Sequence, residues 1–123
     1  MDRNDRARQE FQALMGSAPE EALGQVRLKS PQLYDAVLEG AFGGSLAGPE
    51  LPRAARELAT VTILAALGGA EPQLASHARA ALHNGIAASE LLALAEHVSV
   101  YAGFPRESGL FGACLCRISL MKP

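Results

Sequence analysis

Residues 53–69 read RAARELATVTILAALGG, a helix-forming run whose second half is apolar almost all the way round. Such a helix has no broad polar face to offer water, so other elements must cover it on most sides. Pro52 stands just before it and Gly68 and Gly69 end it, the ordinary start and stop signals of a helix. Its least polar stretch, LATVTILAALGGA, is too short to cross a bilayer. The run therefore predicts the central helix of a bundle.

The rest of the chain points the same way. Alternating β-branched runs are missing, and good helix formers (Ala, Leu, Glu, Arg) dominate, which predicts an all-α fold of about six or seven helices. A first helix is expected after Asn4 or Asp5 as cap, turning Phe11, Leu14 and Met15 to one side and ending at Gly16. Ser17 with Glu20 has capping-box spacing and predicts a short helix through Val26. Ser30 followed by Pro31 starts another, with Leu33, Val37 and Phe42 inward. After the turn-rich GGSLAGPELP and the central helix, Pro72 opens a helix closed by Gly85. Ser89 is the expected cap of the next, which stops at Gly103, and Pro105 begins a last one through about Leu120.

The 123 residues contain no internal repeat or linker, which predicts one domain over residues 1–123. Nearly half of them, 49%, are hydrophobic, more than a chain of this length hides easily inside one subunit, so an oligomer is expected. Charge is nearly balanced, with 11 Lys and Arg against 13 Asp and Glu, and no basic run forms a nucleic-acid footprint. The charged opening DRNDRAR is unlike a signal peptide, and a cytoplasmic location without membrane attachment is expected. Cys114 and Cys116 are spaced neither as a redox pair nor as a zinc set and read as small core residues. No metal site is expected.

Helical spacing sorts the polar residues. His77 shares a face with Ala81 and Asn84, whereas His83 lies well around the same helix, at an end where a partly cationic ring meets the negative dipole pole. Glu57 follows Arg53 by four residues and precedes Thr60 by three, a stripe that spacing alone reads as a structural ion pair. Glu90, Leu94, His97 and Tyr101 align along another face, a pocket wall or, slightly favoured, a subunit contact.

Taken together, RELATVTILAALGG, LASHARAALHNGIAASELLALAEHV and VYAGFP resemble the carboxymuconolactone decarboxylase family, in order and nearly without gaps from about Arg53 to Pro105. The resemblance implies an all-α, alkylhydroperoxidase D-like domain assembling as a trimer or a hexamer ring. Thiol peroxidases of that superfamily carry a C-x-x-C before the histidine. Here Ala70 and Gln73 hold those places, so no thiolate is available for that route. What remains is decarboxylase-like: His77 and Glu57 as the catalytic pair, Arg53 or Arg56 to anchor substrate carboxylates, and His97 or Tyr101 as a further donor.

The same resemblance implies no cofactor and a small acidic substrate, a lactone or keto acid whose decarboxylation leaves a dienolate to be protonated at carbon. The tail ESGLFGACLCRISLMKP departs from the final helix usual in such decarboxylases. It keeps open a related cyclase, isomerase or lactone-processing enzyme. A non-catalytic oligomer that binds a small acid or scaffolds partners is the third reading, because each polar stripe also has an ordinary structural explanation.

Overall fold

The computed structural model describes residues 2–103, and every regular element within them is helical. They fall into two compact units that meet in sequence between Pro52 and Arg53. Among the described residues no helix is long and apolar enough to cross a membrane.

The first unit opens with α1 (Arg3–Met15). Its cap is Asp2, whose carboxylate accepts the Asp5 N–H at 2.8 Å, so the helix starts earlier than Asn4 or Asp5 would place it. Asn4 instead accepts from Arg8 Nε within the helix. The end falls at Gly16 as expected, in the left-handed region at φ 76°, with its N–H returned to the Gln12 carbonyl. Ala7, Phe11 and Leu14 are buried and Met15 only partly so.

Ser17 caps nothing. Pro19 takes the first helical position, which moves the start one residue downstream, and the expected helix is divided into α2 (Pro19–Ala22) and α3 (Gly24–Lys29) around Leu23. Glu20, which a capping box would turn back on Ser17, reaches across to Arg8 instead. Its own backbone N–H and then the Arg8 guanidinium hold the Glu20 carboxyl below the usual carboxylate range. The same hydrogen bond raises the Arg8 pKa.

Ser30 does cap α4 (Pro31–Asp35), its hydroxyl accepting the Leu33 N–H at 3.2 Å. A π-helical segment, Ala36–Phe42, continues it, followed by a 3-10 turn at Ser45–Ala47. The inward face is Tyr34, Leu38 and Phe42, with Phe11 and Phe42 rings 4.6 Å apart. Phe42 is where the sequence places it, and Val37 is partly buried against this cluster. Leu33 is not inward: it is 54% exposed, because the buried stripe runs one residue further on and the wider i→i+5 turns keep that four-residue spacing facing α1. The close approach needs glycine, since a Cβ on Gly43 would lie 2.8 Å from the Glu39 carbonyl and 3.1 Å from Ala7 Cβ.

The second unit comprises α5 (Arg53–Leu67), α6 (Glu71–His83) and α7 (Ala88–Ala102). Its core joins Val61 and Ala65 of α5 to Leu74, Ala78 and Ala81 of α6 and to Leu91, Ala95 and Val98 of α7. Among the described residues the central run is buried along the stripe Glu57, Val61 and Ala65 and partly at Leu58 and Leu64, whereas Ile63 and Leu67 lie 57% and 67% exposed.

Helix α6 has Pro72 in its first turn and ends in a Schellman clasp. Gly85, at φ 93°, donates to the Leu82 carbonyl, and Ile86 donates to the Ala81 carbonyl while its side chain enters the core. Helix α7 begins after Ala87, not Ser89. The Glu90 carboxylate accepts the Ala87 N–H at 2.9 Å, which caps the backbone two residues early and leaves Ser89 inside the helix. Gly103 ends α7 at φ 94°. The helix expected from Pro105 to Leu120, with Cys114 and Cys116, lies outside the described residues.

Candidate functional site

The spacing Glu57, Val61, Ala65 is i, i+4, i+8, so α5 turns a carboxylate to the same buried side as its two apolar core residues. Glu57 is 2% exposed, the one buried charged residue among those described. A carboxylate so placed is costly unless a donor meets it. That donor comes from α6, which lies alongside α5. His77 sits next to Ala78, between Leu74 and Ala81 on the inward edge of α6, and its Nδ1 is 2.8 Å from Glu57 Oε2.

The pair is asymmetric. The Glu57 side chain is 3% exposed and that of His77 is 22% exposed. With Glu57 as the carboxylate, which only accepts, the bond is Nδ1–H to Oε2. That bond fixes ring orientation and tautomer together, leaving Nε2 with its lone pair. Among the described residues, no hydrogen bond occupies Nε2. The product is an imidazole braced on its inner nitrogen by a buried anion, with a partly solvent-accessible ring, an arrangement suited to moving one proton to or from a bound molecule.

The other candidates are placed as follows. Arg53 is exposed at the start of α5, one turn before Glu57, and Arg56 is half-buried and directly precedes it; both take part in polar interactions. The Thr60 hydroxyl does not extend a stripe with Glu57, because it donates back to the Arg56 carbonyl at 2.9 Å. His97 and Tyr101 are exposed on α7 and lie against each other, ring centroids 5.0 Å apart. Among the described residues no hydrogen bond ties either to Glu57 or His77. His83 is exposed in the last turn of α6. No three His, Cys, Asp or Glu side chains converge as a metal set among the described residues.

Local spacing reads Glu57 together with Arg53 and Thr60 and misses its burial. The signal was available in the step of four from Glu57 to Val61 and Ala65, which places the carboxylate on the core stripe.

Two comparisons bear on this arrangement. The model of the carboxymuconolactone decarboxylase family matches residues 31–114, which takes in α4 and the π-helical segment as well as Glu57, His77, His97 and Tyr101. Over 65 residues the chain is 45% identical to the 4-carboxymuconolactone decarboxylase of Acinetobacter baylyi, an alignment covering 53% of this chain and 48% of that protein. The chain thus spans about half the length of the curated relative it matches.

Proposed function

The chain belongs to the carboxymuconolactone decarboxylase family, and from that premise we propose that it is a cofactor-independent enzyme acting by acid–base chemistry on a small lactone or keto acid. Decarboxylation of a 4-carboxymuconolactone-type lactone is its reaction. The observation that carries this reading is the 2.8 Å bond between His77 Nδ1 and the buried Glu57 carboxylate, with the imidazole partly open to solvent.

The chemistry asks for few protein groups. The C–CO2 bond breaks, its electron pair spreads through the conjugated lactone to the carbonyl oxygen as a dienolate, and a proton then adds at carbon. His77, after its Nε2 takes a proton from solvent, passes that proton to carbon, and Glu57 balances the charge of the imidazolium and holds its plane. Arg53 or Arg56 anchors the substrate carboxylates, and His97 or Tyr101 donates to the developing oxyanion. The exposed Ile63, Leu67 and Val100 support assembly into a trimer or hexamer, in which apolar side chains left open by one subunit are covered by another.

The test is CO2 release from 4-carboxymuconolactone. The wild type is expected to turn over, and His77→Ala to lose about 10²- to 10⁴-fold in kcat. A folded, normally assembled His77→Ala protein with full turnover removes the proposed acid.

A further inference from the structure

A braced imidazole that delivers a proton to carbon must also be able to take it back. With Nδ1–H committed to Glu57 at 2.8 Å, the neutral ring offers Nε2 as an acceptor, so the resting pair is a base. The carboxylate buried behind it is already in place to stabilise the imidazolium that forms. Microscopic reversibility then makes the last step of the decarboxylation, protonation of the dienolate, an activity separable from CO2 loss.

We propose that the Glu57–His77 pair catalyses hydrogen exchange with solvent at the carbon α to the carbonyl of β,γ-unsaturated γ-lactones, including ones with no carboxylate to lose. This rests on the proposed role of His77 as the carbon acid–base group. In the step, the α C–H bond breaks and its electron pair spreads onto the lactone carbonyl oxygen as the dienolate. The proton moves to Nε2, giving an imidazolium paired with Glu57. The partly exposed ring exchanges that proton for one from water, and the N–H bond then breaks as the new C–H bond forms. Lactone and catalyst end unchanged except for the isotope, so no oxidant, reductant or metal is needed.

The probe is α-angelica lactone in D2O, with loss of its α-methylene signal followed by proton NMR against buffer alone. The wild-type protein is expected to speed deuterium incorporation about a hundredfold. His77→Asn is expected to return it to the buffer rate with the far-UV circular dichroism of the wild type retained. His83→Asn, which alters an exposed helix end, is expected to match the wild type.

Wild-type exchange no faster than buffer overturns the proposal without recourse to any variant. If 4-carboxymuconolactone still releases CO2 under those conditions, only the exchange activity is refuted and the decarboxylase reading stands. If neither reaction occurs, both fall. Exchange that persists in His77→Asn overturns the assignment to His77.

Discussion

The unequal burial of Glu57 and His77 predicts unequal consequences when either is replaced by leucine. His77→Leu strands a carboxylate whose side chain is 3% exposed. Removing one partner of a fully buried charged pair costs about 3–5 kcal/mol. Because the lost imidazole is itself 22% exposed, water can enter where it stood, and the expected cost falls to about 2–3 kcal/mol. Glu57→Leu removes the charge from the interior and leaves an imidazole that can turn part of its edge to solvent, so the expected cost is about 1 kcal/mol or less. The double replacement leaves neither polar group and is expected within about 1 kcal/mol of the wild type. The singles thus overshoot the double by about 2 kcal/mol, which is the coupling between the residues. Urea unfolding of all four proteins at one fixed protein concentration, followed by circular dichroism, measures it. At roughly 3–5 °C per kcal/mol for a chain of this size, thermal melts should show the same ranking. A coupling below about 0.5 kcal/mol, or a Glu57→Leu protein less stable than His77→Leu, refutes the reasoning.

Two further outcomes follow from packing and charge. Leu91 is fully buried in the core of the second unit, and Leu91→Ala should destabilise by about 2–5 kcal/mol in urea; a change under about 1 kcal/mol contradicts that core. The Glu20 carboxyl is held below its ordinary range by its own backbone N–H and by Arg8, so its contribution to stability is present above the unfolded-state pKa of about 4.3 and is lost as pH falls through the lower folded value. The stability gap between wild type and Glu20→Gln should therefore close on acidification from pH 7 toward pH 3, and a gap that widens in acid gives the wrong sign.

Features fixed by neighbouring residues were legible in the sequence. Gly16, Ser30 with Pro31, and Gly85 all do what their types and positions demand, because left-handed glycines and N-terminal prolines answer to local backbone geometry. Features that depend on a choice between local partners were less so. Ser17 and Ser89 both had the right chemistry for a cap, but Pro19 in one case and the Glu90 carboxylate in the other set the helix start elsewhere. Leu33 is outward because the inward face is set where the π-helical segment Ala36–Phe42 packs on α1, and the phase of its wider turns is not supplied by an α-helical count. The Glu57–His77 bond joins residues 20 apart on different helices, beyond any i, i+4 rule, which is why periodicity returned Arg53 as the partner and only the resemblance singled out both residues.

The clasp at the end of α6 bears on how accurately His77 can be aimed. Ile86 is bound to the Ala81 carbonyl through its backbone and sunk into the interior by its side chain, so α6 cannot roll about its axis or creep along α5 without drawing that side chain back toward water. An imidazole nine positions upstream inherits this fixed phase. The tolerance of the proton transfer proposed for His77 would thus be governed partly by an aliphatic residue on the far side of the clasp, and trimming Ile86 should blur the direction in which Nε2 points.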